Sequence, residues 1–269
     1  MSGLFQIAAL GCAALMLTCC SSSEKNTPIW QDVKVANLAS SDSNQPSAAH
    51  LPVLKTINFD VYIFEIPAEN ISSLDDIWQM LYIKPLQFSD YNAFKTNLFS
   101  AGFGPLRIWN KIRDSLLAAG AEKVRTVSLM LPDGQANRLF VARLDEQQTI
   151  FYSSTAGSIE AVSIGPGTLT LRITAEKIPD SPGVCRTSAQ PAFSPLIKTG
   201  ASQPTHSRKT SDLLFTSAGF TARTSPGDFV LLGPKKYTGN QIILADLFFS
   251  RAQPKPVIRI YLLICTAMN

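Results

Sequence analysis

Histidine is nearly missing from this chain, whose 269 residues hold only His50 and His206, both in polar Ser/Pro/Gln-rich segments. Chemistry that depends on a histidine base or metal ligand therefore has little to build on. Cysteine is also scarce, five in all, and no Cys-x-x-Cys pair or Cys/His cluster offers a zinc site. Charge is sparse and nearly balanced: 24 basic against 20 acidic side chains leave a net charge of +4. With no Lys/Arg run and no aromatic RNA-binding phrase, nucleic acid is excluded as the main partner. Gly at 15 and Pro at 17 exclude a collagen-like chain, no heptad persists, and 45% apolar residues exclude full disorder. What remains is a globular chain long enough for one large domain or two small ones.

Catalytic phrases are missing too. There is no Gly-x-Ser-x-Gly elbow, no Gly-rich phosphate loop followed by Lys-Ser/Thr, and no His-Glu-x-x-His. The adjacent acids Asp75 and Asp76, or Asp145 and Glu146, are weak candidates for a glycosidase pair. Neighbours on a helix or turn point apart, and a first-turn helix role or a solvated loop accounts for them. Lys235 and Lys236 read as a solvated turn, with headgroup or peptidoglycan contact as the alternative. No catalytic residue, cofactor or metal is expected.

The first twenty residues carry no charged side chain, and Leu4 to Leu17 is apolar apart from Gln6. This is the length of a signal-peptide core, although a basic n-region is lacking. Leu17-Thr18-Cys19-Cys20 resembles a bacterial lipobox, with Leu17 three residues ahead of Cys20. The departure is Cys19, which stands where Gly, Ala or Ser is usual. The resemblance implies residues 1–20 as a lipoprotein signal with Cys20 as the lipid anchor, Cys19 being the alternative. An uncleaved anchor helix is the other alternative. Either way the expected location is the cell envelope, anchored at the outer membrane on its periplasmic or surface side. Residues 21–55, rich in Ser, Asn, Gln, Ala and Pro, read as a flexible tether. Beyond the anchor only Cys185 and Cys265 remain, which permits either one disulfide or two buried free thiols.

The folded body is expected over 56–269. Alternation over 57–66 predicts a strand, with Ile57, Phe59, Val61 and Ile63 on one face. Ser72 or Ser73 is positioned to cap a helix carrying Leu74, Ile77, Trp78 and Leu81. A second helix starts after Ser89, carries Tyr91, Phe94 and Leu98, and ends near Gly102. A third begins at Pro105, buries Leu106, Trp109, Ile112, Leu116 and Leu117, and stops at Gly120. From there the period changes to two, predicting strands near 123–131, 137–144, 148–153, 167–178, 213–224, 228–232, 241–249 and 256–266. Pro132-Asp133-Gly134 is expected to join the first two of these as a hairpin. The polar stretch 198–212 reads as a mobile loop. The fold class is α+β and β-dominated, mainly antiparallel, with three short helices in the N-terminal half of the body.

The order of these phrases resembles the C-terminal domain of the bacterial secretin family, the outer-membrane gates of type II and III secretion and type IV pili. FDVYIFEIPAENISSLDDI at 59–77 is similar to its opening strand and helix. VRTVSLMLPDGQANRLFVA at 124–142 is similar to its Asp-Gly hairpin, IGPGTLTLRITAEKI at 164–178 to the next strand, TARTSPGDFVLLGP at 221–234 to its Asp-Gly phrase, and VIRIYLLICTAMN to its terminal strand. Pro234 replaces the second glycine of a family pair, the inner-lip segment has no counterpart, and only a tether stands where ring-building domains would precede. The resemblance implies a non-enzymatic envelope lipoprotein acting in the structure or assembly of an outer-membrane or secretion-related complex, as a homo-oligomer or beside a secretin. Gly134, Gly227 and Gly233 are expected at turns, and strand edges with the apolar strand 242–249 as contact surfaces. The alternative is a monomeric, membrane-tethered binding protein for a peptide or lipid, with a pocket near Trp78, Trp109 and Phe94.

Overall fold

Alternating and doubly apolar strands need two kinds of cover, and the computed structural model shows how both are supplied. It describes residues 55–196, 212–239, 242–251 and 254–269. Cys19, Cys20, nearly all of the tether and residues 198–211 of the expected loop lie outside these.

The chain opens with β1 (Thr56–Pro67), a 3-10 segment (Ala68–Ser73), α1 (Leu74–Met80), β2 (Leu86–Phe88), α2 (Tyr91–Thr96) and β3 (Phe99–Gly104). A 3-10 turn (Leu106–Ile108) leads into α3 (Trp109–Ala118). Then come β4 (Glu122–Pro132), β5 (Ala136–Leu144), β6 (Gln148–Ser153), β7 (Ile159–Ile164), β8 (Gly167–Lys177) and β9 (Cys185–Pro195). The last part holds β10 (Leu213–Leu214), a 3-10 turn (Thr216–Ala218), β11 (Phe220–Thr224), β12 (Phe229–Pro234), α4 (Leu244–Phe249), β13 (Ser250–Arg251) and β14 (Val257–Met268). The fold is α+β and β-dominated, with antiparallel sheets and short helices.

Two main sheets form. The first has the order β3-β12-β14-β1-β4, with β13 also on β14; the second has the order β2-β11-β9-β8-β5, with β10 also on β9. All their strand pairs are antiparallel. They face each other across one apolar core: Ile57, Phe59, Val61 and Ile63 of β1 and Leu263 of β14 meet Leu169, Leu171 and Ile173 of β8 and Ala189 of β9. The other side of the first sheet, through Phe64, Ile66, Leu231, Ile260 and Leu262, is covered by Ile77 of α1 and Ile112 and Leu116 of α3. Central strands of that sheet are thus covered on both faces, which is why β12 and β14 read as nearly continuous apolar runs. The hairpin of β6 and β7 stands as its own two-stranded sheet.

The three expected helices form, with different ends. α1 is entered through the 3-10 segment, and Ser73 makes no side-chain cap. Asp90 caps α2 by accepting from Ala93 N–H at 2.9 Å, and α2 stops at Thr96 because Phe99–Gly104 is taken up as a strand on β12. In that strand a Cβ on Gly102 would lie 2.5 Å from Leu81 Cβ, so the close approach of the chain needs glycine. α3 ends at Gly120, which has φ +77°, and Asn70 Nδ2 donates to the Ala119 carbonyl at 3.0 Å. Of its expected face Ile112 and Leu116 are buried, whereas Leu106 and Leu117 are exposed.

Three corrections concern strands. Pro132-Asp133-Gly134 is not a hairpin turn, because β4 belongs to the first sheet and β5 to the second. Asp133 N–H donates to Lys55 O, Gly134 N–H to Ala175 O, and Asp133 Oδ1 accepts from Lys177 N–H, so the turn carries the chain across the sandwich. Residues 244–249, expected as part of a strand, form α4, every residue of which is buried. A short run that is apolar apart from Asp246 has no periodicity to separate buried helix from buried strand. Finally, β2, β3, β7, β9 and β13 were not expected. In β9, Pro191 and small inward residues hide the alternation, and Pro191 serves as acceptor to Phe215 N–H at the break between β10 and β11.

Candidate functional site

One cleft in this framework combines aromatic walls with unlike polar rims. It opens where α1 ends, beside α2, along β3 and at the residue that follows β12, and encloses about 220 Å³. Its floor is Phe94, Phe99 and Ala101, all buried, and its walls are Trp78, Ile83 and Tyr91. Ser100, Lys95 and Lys235 supply the polar rim. Phe94 and Phe99 stack tilted at 5.6 Å, and Phe88 links Phe94 with Tyr91, so an aromatic row stiffens the floor and one wall.

Local chain geometry places each polar group. Lys235 N–H donates to Leu98 O at 2.7 Å, pinning the residue after β12 to the turn between α2 and β3. Leu98 itself holds φ +61°, a left-handed conformation uncommon for a bulky residue, and its N–H donates to Lys95 O at 3.0 Å. Lys235 Nζ meets Asp75 Oδ1 at 3.0 Å, an ion pair between two half-exposed side chains. Lys95 Nζ lies 5.3 Å from the centroid of Tyr91. Two ammonium groups and one carboxylate leave the rim net positive. Trp78 keeps its indole N–H buried without an acceptor, a cost the fold carries beside the cleft.

A second cleft of about 360 Å³ lies between β5 and the β13 and β14 end of the first sheet. Arg143, Arg251, Arg259 and Asp246 line it. These groups are already engaged: Arg143 with Asp145 at 2.9 Å, Arg259 with Glu65 at 2.7 Å, and Asp246 with Ser250 and Thr238. Arg251 donates to Val141 O and Ser250 O, each at 2.7 Å. Val141 sits at the bulge of β5, so this guanidinium satisfies a carbonyl that the register shift frees.

Of the aromatic trio expected around a pocket, Trp78 and Phe94 meet in the first cleft, while Trp109 packs edge-on against Phe229 at 5.7 Å elsewhere. Lys235 is a rim residue paired with Asp75 and not simply a solvated turn. Gly134 and Gly227 have φ +74° and +91°, as turns require. Gly233 is corrected: it lies inside β12 opposite Ser100, where a Cβ would touch Ile260 and Trp78 at 3.4 Å. Lys95, Tyr91 and Ile83 were missed as a group, because only the turn between α1 and β2 brings Ile83 to α2. Among the described residues no group of three His, Cys, Asp or Glu could hold a metal, and no helix is long and apolar enough to cross a membrane. No protein-family model, curated protein or solved structure matches this chain.

Proposed function

We propose that this protein is a non-enzymatic cell-envelope lipoprotein, anchored through Cys20 or Cys19, whose body works by binding a peptide segment of a partner in an envelope assembly. The observation that carries the binding role is the cleft at Trp78, Phe94 and Phe99, ringed by Lys95 and Lys235. Its volume is below the roughly 300–1,000 Å³ of a site that engulfs a small molecule. That suits one apolar side chain of an extended peptide, with an acidic neighbour reaching the lysines.

Titration of the full chain with short synthetic peptides holding an aromatic or leucine beside Asp or Glu tests this, read by tryptophan fluorescence and calorimetry. Binding at micromolar strength, weakened at least about tenfold by Lys95→Ala with Lys235→Ala and by added salt, is the expected result. Equal binding by the double variant would remove the cleft from consideration.

A second mode is self-assembly as a secretin-like module. One observation favours it: among the described residues no strand pairs with the outer edge of β4. Two others weigh against it. Lys123 and Arg125 decorate that edge, which discourages strand addition, and the apolar segment expected as a contact surface is the buried α4. Native size in mild detergent, beside Cys20→Ser, separates the modes: a ring-sized species supports assembly, and a monomer supports tethered binding.

A further inference from the structure

Cys185 opens β9 on the inner face of the second sheet, and Cys265 lies near the end of β14 in the first. They are 80 residues apart in the chain. Both side chains are fully buried in the shared core, and both are free. They sit at the same end of the core, on either side of the turn that follows β11.

The connection from β11 to β12 fixes this meeting. Cys185 pairs with Thr224 in register, and its Sγ lies 3.2 Å from Thr224 Oγ1. Three residues further on, Gly227 N–H donates to Cys265 O at 2.8 Å, and Cys265 N–H donates to Asp228 O at 3.1 Å. One short turn therefore holds the backbone of both cysteines, one from each sheet.

We propose that Cys185 and Cys265 are joined by a disulfide that staples the first sheet to the second, made by exchange with a disulfide-bearing oxidant as the chain folds. One of the two cysteines, as its thiolate, attacks one sulfur of the oxidant, whose S–S bond breaks and whose first half leaves as a thiol. The other cysteine then loses its proton and attacks the Sγ of the first, and the second half leaves as a thiol. Two protein thiols and one oxidant disulfide become one protein disulfide and two released thiols. Because both sulfurs are buried in the folded body, exchange takes place before the sheets close. The proposal rests on the envelope placement for its oxidising surroundings.

The test uses the unmodified full chain in two arms, with free thiols blocked in denaturant before proteolysis and mass mapping. One arm is protein refolded in oxidised and reduced glutathione; the other is protein extracted from membranes with thiols trapped at lysis. A peptide pair linking Cys185 to Cys265 in both arms, lost on reduction and accompanied by a fall of about 10 °C in unfolding midpoint, is expected. Both cysteines recovered blocked after refolding in glutathione would overturn the disulfide. A link in the refolded arm with blocked cysteines in the extracted arm would uphold the pairing and overturn the envelope placement.

Discussion

Asn97 reads both backbone groups of Ser153. Its Nδ2 donates to Ser153 O at 2.9 Å and its Oδ1 accepts from Ser153 N–H at 2.7 Å, the pattern a neighbouring strand would make. Ser217 Oγ donates to the same carbonyl at 2.6 Å and accepts from Asn97 at 3.2 Å. All three residues are buried, so this network ties the end of α2, the end of β6 and the turn before β11 with little help from water. Asn97→Ala leaves the Ser153 N–H without its partner, and a loss of about 3 kcal/mol in urea unfolding is expected. A loss below about 1 kcal/mol would show that the network is solvated.

Gly227 and Gly233 have different tasks. Gly227→Ala forces a side chain into φ +91° and should cost about 1–2 kcal/mol. Gly233→Ala, in an extended strand with contacts no closer than 3.4 Å, should stay within about 0.5 kcal/mol of the parent. Unfolding midpoints of the two variants measured side by side decide this, and equal losses would restore Gly233 as a conformational glycine.

Burial pushes the Tyr261 hydroxyl up to about 12, with its proton donated to Phe248 O at 3.3 Å. An unfolded tyrosine ionises near pH 10. The native state therefore holds the proton longer, and the stability this contributes is complete below pH 10 and is lost as pH rises from 10 towards 12. Tyr152, also raised to about 12 by burial and then by Glu160, acts in the same window. Tyr261→Phe should flatten the alkaline fall in stability seen by circular dichroism. An unchanged slope would assign the fall to other groups.

Lys235→Ala separates binding from folding. Its ion pair with Asp75 joins two side chains with 46% and 56% of their surfaces exposed, so stability should change by less than about 1 kcal/mol. Peptide binding at the cleft should fall severalfold, as calorimetry would show. A stability loss above about 2 kcal/mol with binding intact would make Lys235 a structural clamp.

Much of the architecture was legible because burial imposes a period. Ile57 to Ile63 alternate since one side of β1 faces the second sheet, and Pro105 with Gly120 brackets the 3-10 turn and α3 through rules that act within a few residues. Asp133-Gly134 announced a turn for the same local reason. Which sheet each flanking strand enters depends on partners elsewhere: β4 pairs with β1 and β5 with β8, and no local signal distinguishes that from a hairpin. The mostly apolar run 242–249 reads as a strand and a contact surface, whereas 244–249 is a buried helix, because burial on every side erases the period that separates helix from strand. The same division holds for function. Trp78, Phe94 and Lys235 were visible one by one, and so were Cys185 and Cys265, whereas Lys95 carried no signal of its own; the meeting of all of them depends on long-range pairing of strands. Composition and periodicity determined a β-dominated, antiparallel body with helices near its start; only the tertiary structure decided which side chains share a cleft and which two cysteines flank one turn, because contacts between distant residues follow from sheet order and register, which single-chain spacing does not encode.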